Sequence, residues 1–203
     1  MQTKELQKPT RAMNASAKLA KQLKAGRVYR REDLASLSNA VDRHLRELVS
    51  MGSLHKLSQG LYHVPKDSAF GPLPPSDDEL VKGFLRDKEF LVFSPSSYNT
   101  LGLGTTQLYN QTWVYNHKRH GAFRLGSRQY DFRVKPRFPK KLTREFLYVD
   151  LLNNLDELAE DRDLLLNQAR NKLASFDRHL LEKAVDNNGN MATRKRLQEW
   201  LND

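Results

Sequence analysis

The sequence has no cysteine and no long apolar run. Small secreted domains often carry disulfides, so the absence of cysteine favours a reducing compartment. No apolar run approaches the roughly 18 residues that a membrane span needs, and the N-terminal stretch has no apolar core of the kind found in signal peptides. We therefore expect a cytoplasmic protein without a membrane partner.

The motifs of common enzyme families are also missing. There is no Walker loop, dinucleotide-binding fingerprint, nucleophile elbow or zinc-protease motif. The glycine-containing segment 101–106 lacks the lysine and the spacing of a phosphate loop, and the adjacent cations of the segment 117–120 disfavour a metal site. The carboxylates between 156 and 163 are typical of a solvated helix face. We expect no enzymatic activity, no catalytic residues, no metal and no cofactor.

Positive charge is abundant and unevenly distributed. The 203 residues carry a formal net charge of +10. Residues 1–70 hold 13 Lys and Arg against 6 Asp and Glu, residues 71–140 hold 11 against 6, and residues 141–203 hold 10 against 12. Lys and Arg that neutralise phosphates release condensed counterions, so a basic region often binds a polyanion. Solubility alone is the other explanation of this charge.

The segment Gly71-Pro72-Leu73-Pro74-Pro75-Ser76 is the clearest boundary in the chain. Its three prolines cannot continue a helix or pair within a central strand, so the pattern predicts a linker. We therefore predict an N-terminal domain over residues 1–70 and a C-terminal domain over residues 76–203. Both contain helical and strand patterns, which makes the predicted fold class α+β.

Before this boundary the pattern predicts three helices and a β-hairpin. Gly60 falls at the hairpin turn, where a positive φ is needed. Three helices and a hairpin within about 55 residues are typical of a winged helix-turn-helix. The predicted elements are a helix over 13–25, a strand at Val28-Tyr29, a helix from Arg31 to Leu37, a helix capped by Ser38 and ended by Gly52, and strands over Leu54–Leu57 and Leu61–Val64.

After the boundary the pattern predicts a larger mixed domain with a small antiparallel sheet and C-terminal helices. Gly126-Ser127 is predicted to join two strands as a hairpin, and apolar residues recur at helical spacing from Thr143 onward. The predicted elements are helices over Ser76–Lys88 and Pro95–Leu103, strands over Phe90–Phe93, Thr112–Asn116, Ala122–Leu125 and Gln129–Val134, an acidic helix over 144–163, and helices over about 162–185 and 192–201.

The third helix has the composition of a helix that reads DNA. Val41, Leu45, Leu48 and Val49 recur as an apolar stripe that is predicted to be buried. Arg can bridge O6 and N7 of guanine, Asn can bridge N6 and N7 of adenine, and Ser can reach phosphate. The side chains opposite the stripe are Asn39, Arg43, Arg46, Glu47 and Ser50.

Residues around this helix extend the predicted contact with duplex DNA. Those at the start of the second helix are placed to touch the sugar-phosphate backbone, and those on the hairpin to enter a minor groove or to hold phosphates. The full set of predicted DNA-binding residues is Arg30, Arg31, Ser38, Asn39, Arg43, Arg46, Ser50, Lys56, Ser58 and Gln59.

Simpler interpretations of the same pattern stay open. Arg43 and Arg46 can belong only to the solvated face of an amphipathic helix, with Glu47 as the i,i+4 partner of Arg43. Winged helices that bind proteins and never touch nucleic acid have the same three helices.

The order of the parts resembles a known family. The hairpin end Gln59-Gly60-Leu61-Tyr62 is followed by the segment 94–107, SPSSYNTLGLGTTQ, and later by the helical segment 150–156, DLLNNLD. Over roughly residues 12–165 this order is similar to that of the AbiEi family of bacterial antitoxins, in particular its shorter branch, a domain of unknown function. The serine-rich helix start that runs into Leu-Gly-Leu and Thr-x-Gln is its most specific part.

The resemblance implies an antitoxin of a type IV toxin–antitoxin system with a neighbouring nucleotidyltransferase toxin. In that family the winged helix is a transcriptional repressor of its own promoter at repeated operator sites, and the C-terminal domain counters the toxin. The DNA-binding role maps onto Asn39, Arg43, Arg46, Lys56 and Gln59, and the resemblance supplies no catalytic residues.

Two other functions fit the same sequence. An ordinary winged-helix transcription factor would sense a ligand with its C-terminal domain, and the ligand would change its operator affinity. A protein-interaction module would mask a partner directly through the acidic helix over 144–163.

Overall fold

The computed structural model describes residues 10–103 and 105–202, with side chains from residue 15 onward. Gly104, which belongs to the mid-chain motif of the family resemblance, lies outside the described residues.

The chain folds as two compact units. The first extends to Asp87 and includes the short segment Arg124–Arg128, and the second comprises Lys88–Phe123 and the chain from Gln129 onward. Both units mix helices and strands, which confirms the predicted α+β class.

The first unit begins with a helix–strand–helix–helix–hairpin order. Its elements are α1 (Thr10–Gln22), β1 (Val28–Arg30), α2 (Arg31–Ala35), α3 (Val41–Ser50), β2 (His55–Ser58) and β3 (Leu61–His63). The hairpin turns at Gly60, whose φ is 68°. β3 pairs with both β1 and β2 in antiparallel fashion, so the sheet order is β1-β3-β2. Apolar side chains of the helices, among them Leu19, Leu34 and Leu45, form one core.

The start of α3 differs from the prediction. The N-cap residue is Ala40, and no side chain caps the helix. Ser38 instead places its Oγ 2.6 Å from Nδ1 of the buried His44, and it accepts a hydrogen bond from the Ala40 N–H at 3.2 Å. The prediction that Ser38 caps α3 is wrong, because its hydroxyl satisfies a buried imidazole nitrogen of the helix.

Half of the proline-rich segment is a strand. Gly71–Leu73 forms β5, which pairs with β4 (Lys66–Ser68) in a two-stranded hairpin. Pro72 lies opposite Asp67, and a two-stranded hairpin tolerates a residue without an N–H because one side of each strand is free of pairing. The predicted linker over 71–76 is therefore reduced to residues 74–76.

The helix after the prolines, α4 (Asp77–Leu85), is part of the first unit. Ser76 caps it by accepting a hydrogen bond from the Glu79 N–H at 3.3 Å. Gly83 allows α4 to approach β1 closely, since a Cβ atom at this position would lie 2.7 Å from Val28 Cγ1. By packing, the first unit thus continues past residue 70 and takes in a helix that the sequence assigned to the second domain.

A four-stranded sheet follows, with the order β6-β7-β9-β8. Its strands are β6 (Phe90–Phe93), β7 (Thr112–Asn116), β8 (Gly121–Leu125) and β9 (Arg128–Val134). β6 and β7 are antiparallel, whereas β7 and β9 are parallel. The prediction of an antiparallel sheet is therefore wrong. β8 forms the predicted hairpin with β9 but takes the edge, which brings β9 beside β7 in the same direction.

The last predicted helix of the second unit, over 192–201, is confirmed, whereas the two longer predicted helices are interrupted. The α-helices of this unit are α5 (Arg144–Asn153), α6 (Arg162–Lys172), α7 (Arg178–Asn188) and α8 (Met191–Asn202). The segment Pro95–Leu101 is a 3-10 helix, and its predicted extension to Leu103 is not helical. Asp177 caps α7 by accepting a hydrogen bond from Leu180 N–H, so the predicted helix over 162–185 is interrupted at Phe176.

The predicted acidic helix over 144–163 is wrong as well. α5 ends at Asn153, a 3-10 turn covers Leu155–Glu157, and the next helix begins only at Arg162. Every residue of α5 from Phe146 to Leu152 is buried. α5 is consequently the central helix of the core of the second unit and offers no continuous acidic face to a partner. Across the described ranges, no helix has the length and apolarity to cross a bilayer.

Candidate nucleic-acid interface

One side of α3 is buried and the other is open to solvent. Val41, Leu45 and Leu48 of the predicted stripe are at most 7% exposed. Except for the half-buried Glu47, the polar residues on the opposite side are exposed, and within the described part of the chain Ser50 Oγ bonds only to the Glu47 carbonyl of its own helix. The exposed members of the predicted set on this side are Arg43, Arg46 and Ser50, and Asn39 is exposed in the turn before the helix.

The two arginines of this exposed face make only local contacts within the described part of the chain. Arg43 Nε lies 3.8 Å from Glu47 Oε1, and 59% of the Arg43 side chain is exposed. Arg46 donates from Nε to the Asp42 carbonyl one turn earlier at 3.2 Å. Such exposed i,i+4 contacts are worth a few tenths of a kcal/mol, on the order of 0.3–0.5. Both guanidinium groups can therefore exchange these contacts for an anionic ligand at little cost.

Arg31 is held at the edge of this face by an acidic partner. Its Nε and Nη2 donate to the two carboxylate oxygens of Asp42 at 2.7 and 2.6 Å. This bidentate hydrogen bond raises the pKa of Arg31 and lowers the pKa of Asp42. Asp42 thus places a negative charge next to the predicted contact surface, and Arg31 reaches phosphate only by leaving or sharing it.

Arg30, the neighbouring predicted backbone contact, is half-buried. It donates from Nε to the Gly83 carbonyl at 2.7 Å and from Nη2 to the Phe84 carbonyl. Both acceptors lie in the last turn of α4, where carbonyls lack helical partners and a cation is favoured. Arg30 therefore joins β1 to α4, a role that sequence reasoning missed because α4 was assigned to the other domain.

The β2–β3 hairpin carries the remaining predicted contacts. Lys56 and Gln59 are exposed, whereas Ser58 is half-buried. The Leu57 carbonyl accepts a hydrogen bond from the Gly126 N–H at 2.7 Å, within the same unit. This bond restrains the hairpin on one edge while the two polar side chains stay accessible.

A buried histidine lies at the base of this hairpin. His63 on β3 is 1% exposed, and neither ring nitrogen has a hydrogen-bond partner within the described residues. Its ring centroid lies 6.3 Å from that of His55, its cross-strand neighbour. Burial, together with the nearby His55, lowers the pKa of His63. The folded sheet therefore favours the neutral form of the His63 imidazole.

The second unit contains a buried carboxylate that sequence reasoning missed. Asp150 on α5 is 2% exposed and accepts hydrogen bonds from Tyr98 Oη at 2.7 Å and Tyr115 Oη at 2.9 Å. The Asn154 amide lies 3.3 Å from Tyr115 Oη and donates to the Asp150 carbonyl at 2.7 Å. Burial raises the pKa of Asp150, and the two donated hydroxyls oppose this shift. One sequence signal existed, since Asp150 is a lone acidic residue inside an otherwise apolar helical run.

Arg133 closes the polar cluster on its more exposed side. Its guanidinium stacks over Trp113 at 3.6 Å from the ring centroid and pairs with Asp131 at 2.7 Å and Glu157 at 2.6 Å. These partners use both edges of the guanidinium, so the group is structural in character. Among the described residues, no three His, Asp or Glu side chains converge as a metal site would require.

Comparisons of the chain with protein-family models, with curated proteins and with solved structures find no match.

Proposed function

We propose that the first unit is a winged helix-turn-helix that binds duplex DNA, with α3 in the major groove and the β2–β3 hairpin as the wing. The observation that carries this proposal is the division of α3 into a buried apolar side and an exposed side with Arg43, Arg46 and Ser50, which the exposed Asn39 precedes. These side chains supply base-edge and phosphate contacts in the major groove.

The element order supports this proposal. A strand follows the first helix, two further helices come next, and a hairpin whose second strand pairs with that first strand completes the sheet. In winged helices the third helix enters the major groove and the hairpin reaches the neighbouring backbone or minor groove. Lys56 and Gln59 of this hairpin are exposed, and we propose that they make such contacts.

The test is binding to duplex fragments from the region upstream of the gene, measured by fluorescence anisotropy over a range of salt concentrations. Each of Arg43→Ala and Arg46→Ala should lower specific affinity by roughly 1–3 kcal/mol. Lys56→Ala should weaken all sequences alike and make the salt slope shallower by about one unit.

The matched control is the double variant Lys18→Ala/Lys21→Ala, which removes two exposed cations from α1 of the same unit. It should retain most of the sequence preference, because its effect is limited to bulk charge. Equal losses for this control and for Arg43→Ala/Arg46→Ala would reject α3 as the reading helix, as would a wild-type chain that binds no duplex at low salt.

We further propose that the chain is the antitoxin and autorepressor of a two-gene module whose toxin is a nucleotidyltransferase. This part rests on the family resemblance of the segments 94–107 and 150–156. Co-expression with the product of the adjacent gene should relieve growth arrest caused by that product alone. Arrest that persists on co-expression, or an adjacent gene that causes none, would reject the antitoxin role while leaving DNA binding to its own test.

A further inference from the structure

Two loops of the second unit emerge side by side from one end of the sheet. β7 and β9 are parallel, with Asn116 opposite Val134 at their C-terminal ends. The Lys135 N–H donates to the Asn116 carbonyl at 3.0 Å, which continues the pairing by one residue. The loop over 117–120 follows β7, and the loop over 135–141 follows β9. We call these two segments the basic loop pair.

The first of these loops is held in place by a buried side chain. Asn116 is 1% exposed. Its Oδ1 accepts hydrogen bonds from the Lys118 N–H at 2.8 Å and from the Arg119 N–H at 2.7 Å, and its Nδ2 donates to the Arg119 carbonyl at 2.9 Å. The backbone of the loop is thereby fixed, and residues 117–120 are exposed.

The basic loop pair is strongly cationic. Its eleven residues include six Lys and Arg and no Asp or Glu. Glu89 Oε2 lies 4.0 Å from His117 Nε2. Over the described ranges, Lys140 and Lys141 have no carboxylate within 4 Å and are exposed. The six cations are Lys118, Arg119, Lys135, Arg137, Lys140 and Lys141.

An aromatic contact joins the two loops. The ring of His117 stacks on that of Phe138, with centroids 4.7 Å apart and planes at 27°. The His117 side chain is 40% exposed and Phe138 is half-buried. A flat, partly exposed ring pair among cations is the arrangement on which unpaired bases stack.

We propose that the basic loop pair binds single-stranded nucleic acid, with the phosphates at its Lys and Arg side chains and a base stacked on the His117 ring, on the side away from Phe138. Charge complementarity selects a polyanion. The ring stack selects unpaired bases over a duplex, because bases inside a duplex cannot stack on protein rings. This surface belongs to the second unit and does not depend on α3.

The test uses the full chain and fluorescein-labelled oligouridine and oligothymidine of about 12 nucleotides. The double variant Lys140→Gln/Lys141→Gln should weaken binding of both probes about fivefold, and the addition of Lys118→Gln and Arg119→Gln should bring the loss to at least about thirtyfold. The salt slope of the quadruple variant should fall by up to about 2.8, at about 0.7 for each phosphate that the variant no longer neutralises. His117→Ser should weaken binding at an unchanged salt slope.

The control is Lys183→Gln/Lys195→Gln, which removes two exposed cations from α7 and α8 of the same unit. It should change oligonucleotide affinity less than twofold. The proposal is overturned if this control loses as much oligonucleotide affinity as Lys140→Gln/Lys141→Gln, or if the quadruple variant loses none. It is also overturned if the wild type does not bind the oligonucleotides. A preference for oligouridine over oligothymidine identifies the ligand as RNA, and the reverse identifies it as DNA.

Duplex binding distinguishes this surface from α3. Arg43→Ala/Arg46→Ala should leave oligonucleotide binding intact while lowering duplex affinity. The quadruple loop variant should lower oligonucleotide affinity and leave duplex affinity intact. A quadruple loop variant that loses duplex affinity but keeps oligonucleotide affinity overturns the single-strand proposal. That outcome would leave the proposed sequence preference of α3 to its own test.

Discussion

The arginines on α3 of the first unit and the aspartate on α5 of the second unit have opposite environments. In the first unit Arg43 and Arg46 of α3 face solvent and, among the described residues, make only local contacts. In the second unit Asp150 faces inward and takes hydrogen bonds from two tyrosines that lie far away in the sequence. An outward polar side is free to bind, whereas an inward polar cluster fixes one arrangement of the core, since each unsatisfied buried group would be costly.

The largest expected effect is on the inward cluster. Asp150→Ala removes the acceptor of the Tyr98 and Tyr115 hydroxyls, and each buried unsatisfied hydroxyl costs about 1–3 kcal/mol. Relief of the buried carboxylate offsets part of this cost, so we expect a net loss of about 3 kcal/mol. The measurement is urea unfolding followed by tryptophan fluorescence, because both tryptophans, Trp113 and Trp200, lie in the second unit.

Two further variants sharpen that result. Asp150→Asn keeps one acceptor oxygen and should lose less stability than Asp150→Ala. Asp156→Ala, at a side chain that is 78% exposed, should change stability by less than about 0.5 kcal/mol. Similar losses for Asp150→Ala and Asp156→Ala would contradict a structural role of the buried carboxylate.

The next effect is an opposite response of the two units to pH. The raised pKa of Asp150 means that the folded unit prefers its protonated form, so this contribution to stability is complete below the ordinary aspartate pKa of about 3.9 and is lost as pH rises through the raised value. The lowered pKa of His63 has the other sign: its contribution is complete above about 6.5 and is lost as pH falls through the lowered value.

The pH responses assigned to His63 and to Asp150 can be measured separately. Hydrogen exchange of the β1–β3 amides, corrected for intrinsic exchange rates, should reveal weaker protection below pH about 6.5, and His63→Leu should remove that dependence. Tryptophan-detected unfolding should show the Asp150 dependence, and Asp150→Asn should remove it. If the pH dependence of protection persists in His63→Leu and that of unfolding persists in Asp150→Asn, other groups are responsible for it.

The smallest effect concerns the outward side. Asp42→Asn removes the negative charge that holds Arg31, and it should raise duplex affinity about threefold at low salt, because Arg31 becomes free for phosphate. Asp67→Asn, at an exposed carboxylate on β4, is the matched control and should have a smaller effect. An unchanged affinity for Asp42→Asn would show that Arg31 does not contact the duplex.

Local patterns predicted the elements that local chemistry determines. The hairpin turns at Gly60 because the turn needs a positive φ, and α4 begins after Ser76 because its hydroxyl accepts from the first turn. Val41, Leu45 and Leu48 of the predicted stripe of α3 are buried as their spacing indicates, and Val49 is partly buried. Each of these features depends on residues within a few positions of one another.

Features that depend on distant partners were missed. The Tyr98 hydroxyl that donates to Asp150 belongs to a residue 52 positions away in the sequence, and no spacing rule connects the two residues. The apolar spacing continues through Leu155 and Leu158, so the pattern extended α5 beyond its end. The chain leaves the helix at Asn154, whose amide donates back to the Asp150 carbonyl and packs beside the tyrosine hydroxyls.

The segment Arg124–Arg128 makes the protein difficult to dissect. The chain leaves the first unit after Asp87, re-enters it for these five residues, and leaves again, so three covalent crossings connect the two bodies. A fragment that stops at Asp87 lacks the Gly126 amide that caps the Leu57 carbonyl, and it also lacks Arg128, which pairs with Asp77 at 2.7 Å. Truncation or a single proteolytic cut cannot yield the N-terminal body whole; a circularly permuted or internally spliced chain would be required.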